Sequence, residues 1–154
     1  MRKIFLVLIC FLGFLGCKQQ EENSEMLHRT FSNNMWERFD YVKEEISIKE
    51  TTTFNLNMKI SFTDDYPYED FSMVFTVFTN EGEPYRSKGY KFRLKDAEGH
   101  WNSERIDGCY TFDMPINNAL QITEAGTYCF QIENRMAKTP LMGVKELTLI
   151  NNNK

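Results

Sequence analysis

Five apolar residues at every second position, Phe54, Leu56, Met58, Ile60 and Phe62, alternate with Asn55, Asn57, Lys59 and Ser61. Successive side chains of an extended chain point to opposite faces, so this stretch makes a strand with one apolar and one wet face. A helix would scatter the same five residues around its circumference. The two-residue period returns in Tyr90–Leu94, Tyr110–Met114 and Thr127–Glu133. Phe71–Phe78 is nearly all apolar and reads as a central strand covered on both sides, at least in its second half. A last strand spans Val144–Ile150, and Trp36–Tyr41 and Ile46–Ile48 supply one or two more at the front. Turn formers separate these runs: Asp64-Asp65-Tyr66-Pro67, Asn80–Pro84, the tight reversal Asp96–Gly99, and Pro115, which is expected to end the run begun at Tyr110.

Six to eight short strands with no helical pattern between them predict an all-β fold. Stacking two antiparallel sheets buries their apolar faces. The expectation is a single-domain antiparallel β-sandwich of immunoglobulin-like or jelly-roll type, with a closed barrel as the alternative. The 13 Phe and 7 Tyr agree, because aromatic residues favour strands.

The first 17 residues carry a different signal. Arg2 and Lys3 precede an uncharged apolar run, Ile4–Leu15, which Gly16-Cys17 closes. A basic start, an apolar middle and a small residue at the cut make a secretory leader. The run falls short of the roughly 20 apolar residues that a membrane span needs. The cysteine behind the small residue resembles a bacterial lipoprotein signal, although Phe14 stands where leucine is usual. On that reading residues 1–16 are cleaved and Cys17 carries a diacylglycerol and an N-acyl chain such as palmitate. The alternative is an ordinary leader with an incidental cysteine. Residues 17–35 are polar and aperiodic and read as a tether. The sandwich is expected over 36–151 and a short tail over 152–154. Glu21-Glu22, behind the lipid cysteine, resemble a surface-export signal or belong to a solvated linker.

Removing Arg2 and Lys3 from the 18 basic residues, against 22 acidic ones, leaves a net charge of −6. Such a chain has no basic excess with which to neutralise phosphates, which argues against nucleic acid as a partner.

Little in the chain points to catalysis. The two histidines, His28 and His100, fall in the tether and in a turn. GxSxG, HExxH, P-loop and GxGxxG patterns are absent from the sequence. Asp64-Asp65, Glu69-Asp70, Asp96/Glu98 and Glu104/Asp107 offer carboxylate pairs for glycoside hydrolysis, but all lie in turns, where acids serve the backbone. Asp96, Glu98, Glu104 and Asp107 match no EF-hand spacing, and neither CxxC nor a histidine pair suggests zinc. No metal, no catalytic residue and no cofactor beyond the Cys17 lipid are expected; the protein reads as a non-enzyme. Cys109 and Cys129 are a candidate disulfide, since an exported chain meets oxidising chemistry. Both are out of step with their strands' apolar faces, and they bridge only if the two strands are neighbours. Trp101, with Tyr85 and Tyr90, is a candidate platform for a sugar ring; Trp101 equally suits capping the edge of the core.

The order of motifs is similar to that of a known family. Cys17 leads to Trp36 and Asp40, then to the long alternating strand and Tyr66-Pro67-Tyr68. Asp96-Ala97-Glu98-Gly99-His100-Trp101 follows, then Gly126-Thr127-Tyr128-Cys129-Phe130-Gln131-Ile132, Met136 and Leu141-Met142-Gly143-Val144. This series resembles the GldH family of gliding-motility-associated lipoproteins across nearly the whole mature chain. The glycine-free stretch Asn102-Ser103-Glu104-Arg105 and the two cysteines, Cys109 and Cys129, depart from the family pattern. The resemblance implies an envelope lipoprotein, expected at the outer membrane. Its implied partners are the membrane, through the anchor, and proteins of a gliding or surface-secretion machine. It brings no catalytic residue. The competing expectation is a carbohydrate-binding surface lipoprotein centred on Trp101.

Overall fold

The structure, a computed structural model, describes residues 24–153. The leader and Cys17 lie outside the described residues. Eleven strands follow in chain order: β1 (Ser24–Thr30), β2 (Met35–Trp36), β3 (Val42–Ile48), β4 (Thr52–Phe62), β5 (Asp70–Phe78), β6 (Pro84–Arg93), β7 (Arg105–Ile106), β8 (Cys109–Ile122), β9 (Gly126–Asn134), β10 (Leu141–Met142) and β11 (Val144–Asn151). Every pairing is antiparallel. One sheet has the order β1-β11-β4-β8-β7, the second the order β3-β9-β5-β6, and β2 pairs with β10 apart from both. The two large sheets share no ladder, so the fold is a sandwich rather than a closed barrel.

The core follows the two-residue period. Phe54, Leu56, Met58, Ile60 and Phe62 of β4 are all buried, with Leu147 and Leu149 of β11 beside them. Met114, Ile116, Leu120 and Ile122 complete that sheet's inner face, and Phe71, Met73, Phe75, Val77, Tyr128, Phe130 and Ile132 face them from the second sheet. β5 lies between β9 and β6 as a central strand. Its outer side is only partly covered: Ser72, Val74 and Phe78 are half-buried, while Thr76 is buried against Ser87, 2.9 Å away.

Three expectations need correction. Trp36–Tyr41 was expected to supply a strand, but only Met35–Trp36 pairs, and Glu37–Asp40 folds into a turn. The tether was expected to reach residue 35, yet Ser24–Thr30 forms an edge strand along β11, from Ser24 opposite Asn151 to Thr30 opposite Glu146. Leu27 is its only fully buried side chain, with Met26 half-buried, so its sequence shows no alternation. Backbone pairing holds it instead. Pro115 does not end its strand either; β8 continues to Ile122. The register shifts there, with Asn57 opposite Pro115 and Leu56 opposite Asn117. A bulge tolerates the missing proline N–H, and β7 covers only the first two residues of β8, leaving the rest of that edge free.

The registers also define two poles. Ser24, Asn151, Thr52 and Ile122 lie toward one pole of their sheet, where Phe54 meets Phe130 of the other sheet, ring centroids 5.5 Å apart. At the opposite pole Phe62 meets Phe71 at 5.7 Å and Trp36 meets Phe71 at 6.1 Å. There the β10–β11 turn runs hard against the segment after β4. A Cβ on Gly143 would stand 2.3 Å from the Tyr66 backbone nitrogen, and Gly143 has φ +78°. Only glycine satisfies both constraints. Gly143→Ala is expected to lower stability by about 2 kcal/mol or more, read as a lower urea midpoint with an unchanged m-value.

Candidate functional site

The loops at the Phe62 pole hold most of the residues singled out for chemistry. Phe62 is the centre of an aromatic cluster, with Tyr66 at 4.5 Å, Phe112 at 6.0 Å and Trp101 at 6.1 Å between ring centroids. Trp101 stacks nearly parallel on Tyr110, at 4.3 Å and 9°. The Lys95 ammonium lies 4.4 Å from the Trp101 ring centroid and donates a hydrogen bond to the Tyr66 carbonyl at 3.1 Å. Trp101 therefore caps the edge of the core and does not present an open platform. Tyr90 stacks on Phe92 and its hydroxyl donates to the Ile116 carbonyl. Tyr85, at the other pole, packs edge-on against Tyr128 and donates to the Gln121 carbonyl at 3.0 Å. The three aromatic residues considered for sugar binding thus form no common surface.

Four of the eight turn carboxylates, Asp64, Glu69, Asp70 and Asp96, are committed to local structure. Asp96 Oδ1 accepts from the backbone N–H groups of Glu98 at 3.0 Å and His100 at 2.8 Å, and its Oδ2 lies 3.2 Å from His100 Nδ1. The His100 backbone bond, above all, draws the Asp96 pKa below its usual value. Asp64 accepts from Arg105 at 2.8 Å and from the Tyr110 hydroxyl at 3.1 Å, which lowers its pKa, with Arg105 the larger cause. Glu69 pairs with Arg93 at 3.6 Å and Asp70 with Lys91 at 2.8 Å. Among the described residues no three of His, Cys, Asp and Glu gather as metal ligands would.

The disulfide considered for Cys109 and Cys129 is not formed; both are free. The condition for it fails because the strands are not neighbours. Cys109 opens β8, next to the Phe62 end of the first sheet, while Cys129 lies opposite Glu45 and Phe78 in the second. Cys109 is buried and Cys129 half-buried, and burial raises the Cys129 thiol pKa.

A feature that the sequence did not flag lies at the same pole. The turn Glu37–Asp40 closes with the Asp40 N–H donating to the Glu37 carbonyl at 3.3 Å. Phe39 holds its third position with φ +63°, where glycine or asparagine is normal. For a bulky residue this costs on the order of 1–3 kcal/mol, yet the Phe39 side chain is 71% exposed. The turn and the loop from Arg135 to Pro140 enclose a cleft of about 280 Å³. No residue pattern marks it, because a phenylalanine in a left-handed turn has no sequence signature.

These features define an all-β antiparallel sandwich whose loop poles carry the side chains singled out in the sequence. The GldH lipoprotein family matches residues 25–149, and the chain belongs to that family. No curated protein matches it. Among solved structures it is similar to a family GH115 4-O-methyl-alpha-glucuronidase with specificity for decorated arabinogalactans, at 12% identity and a TM-score of 0.38, over 83% of this chain and 18% of that one. It is also similar to dimeric latent PorU from Porphyromonas gingivalis, at 9% identity and a TM-score of 0.37, over 86% of this chain and 12% of that one. The chain therefore spans less than a fifth of either structure.

Two outcomes are expected. In the mature lipidated chain an alkylating reagent counts two thiols without reductant, and under native conditions Cys129 reacts before Cys109; a count of zero would establish the bridge. The second concerns Asp64. Its lowered folded-state pKa adds stability that is present above the unfolded value of about 3.8 and lost as pH falls through the folded value. Asp64→Asn removes that contribution, so the gap in melting temperature between wild type and variant narrows below about pH 3.8.

Proposed function

We propose that this chain is a lipid-anchored envelope protein that acts without catalysis, as an interaction subunit of a gliding or cell-surface secretion machine. Family membership over residues 25–149 carries the reading. The leader adds the means of attachment, a diacylglycerol and N-acyl chains on Cys17, and an outer-membrane address suits the family. Anchoring raises the effective concentration of the domain for any partner at the same membrane, so the lipid contributes to assembly without adding a contact. Three further observations favour a binding role over an enzymatic one. Asp64, Glu69, Asp70 and Asp96 at the Phe62 pole serve turns and ion pairs. His100 is held by Asp96, with no nucleophile among the contacts it makes. Trp101 is packed on Tyr110, so the sugar-binding alternative lacks an exposed ring at the position it depends on.

The test is recovery of partners from envelopes solubilised in mild detergent. The anchored protein is expected to retain a defined set of envelope proteins. An exported Cys17→Ser chain is expected to recover them at least tenfold less well and to leave motility or surface secretion impaired. Full function from the unlipidated chain would remove the anchor from the mechanism. Failure of the anchored protein to retain any envelope protein would remove the interaction role.

A further inference from the structure

We propose that the cleft between the Glu37–Tyr41 turn and the Arg135–Pro140 loop docks a polypeptide segment of a partner protein, one with an apolar side chain next to a carboxylate. The proposal deepens the interaction role above by naming the surface and the chemistry it reads.

Two observations converge there. The first is Phe39. The turn would be relaxed with asparagine or glycine at its third position, yet it holds an aromatic ring out to water, 71% exposed. An exposed aromatic beside an arginine is the usual chemistry of an interface anchor.

The second is the charge balance. The cleft is lined by Arg38, Asp40, Glu133 and Arg135. Asp40 already receives Arg29 through both carboxylate oxygens, at 2.8 and 2.9 Å. Glu133 lies 3.1 Å from Arg135. Arg38 forms no ion pair among the described residues and instead lies over the Phe39 ring, 5.3 Å from its centroid. The cleft therefore offers one unmatched cation beside the exposed Phe39 ring. A carboxylate neighbouring an apolar side chain complements both.

Position favours a protein over a lipid surface. Ser24, where the chain from the anchor enters the fold, lies at the opposite pole from the cleft. The 11 residues of β4 put the poles about 35 Å apart.

The probe is a displayed library of random dodecapeptides, panned on the full-length exported chain in its lipidated form and as Cys17→Ser. Enriched peptides are expected to share an aromatic or aliphatic residue adjacent to Asp or Glu. They should bind both forms equally, so the outcome does not depend on whether the anchor reading holds. Phe39→Asn and Arg38→Glu should each weaken those peptides roughly tenfold or more, with the melting temperature of Phe39→Asn equal to or above wild type. A purely structural role for Phe39 would instead lower that temperature. The proposal is overturned if no common pattern is enriched or if both variants bind as wild type does. It is equally overturned if phosphatidylglycerol vesicles, presented to the Cys17→Ser chain, bind with the same dependence on Arg38 and Phe39.

Discussion

The contact between Phe62 and Phe71 is the one on which the arrangement of both sheets depends. Phe62 ends β4, the strand that pairs with both β8 and β11; Phe71 begins β5, the centre of the other sheet. Their edge-to-face approach at 5.7 Å joins the sheets at one pole, as Phe54 and Phe130 do at the other. Tyr66, Trp101 and Phe112 surround Phe62, and Trp36 leans on Phe71. Aromatic pairs of this kind add about 0.5–1.5 kcal/mol each beyond the area they bury. The consequence is a stiff base for long loops. Residues 94–104 fold down onto the cluster through Leu94, Lys95 and Trp101, and the turn before β11 closes over Tyr66 through Gly143.

That base explains how an exposed turn tolerates strain. Trp36 is fully buried, and its indole N–H donates to the Asp40 carbonyl at 2.6 Å. Asp40 also accepts from one Arg29 guanidinium nitrogen through both carboxylate oxygens, which ties the same turn to β1. With its start and its end both fixed, the turn has little freedom to relax Phe39 into a commoner conformation. Strain of this kind persists only where the surroundings over-determine it. The sequence departs here from local consistency, and such departures belong at functional surfaces more often than at structural ones.

The strands legible in the sequence are those whose two faces meet different surroundings. Phe54 through Phe62 alternate because β4 has core on one side and solvent on the other, and Tyr128, Phe130 and Ile132 follow the same logic. β1 was illegible because an edge strand with a single buried leucine is held by its backbone, which the sequence does not record. The bulge at Pro115 was illegible for a related reason: register is a property of two strands, and only one is read at a time. The Cys109–Cys129 expectation failed on strand order, which is non-local. Trp101 was open to two readings because a tryptophan after a tight turn serves a platform or a cap equally well. Its neighbours Phe62 and Tyr66, some forty residues earlier, decide between them.

The two poles differ in character as well as in loop length. The loops nearest Ser24 carry Lys49 but also Glu50, Glu81, Glu83 and Glu124. If Cys17 bears its lipid, this acidic pole is the one nearest the headgroups, since Cys17–Asn23 spans at most about 25 Å. Anionic headgroups would repel it, so electrostatics cannot supply the attachment. Acyl chains can, and more than one is needed, because a single chain binds a membrane only marginally. The same repulsion tends to hold the domain off the surface, with its opposite pole turned outward. Phe39, Tyr41, Ile106 and Met142 lie toward that pole, while among the described residues Tyr85 is the large exposed apolar residue toward the Ser24 pole. A domain built to lie flat on lipid would reverse that distribution. The one observed suits the proposed arrangement, in which the anchor holds the Ser24 end and the far pole is left to a partner.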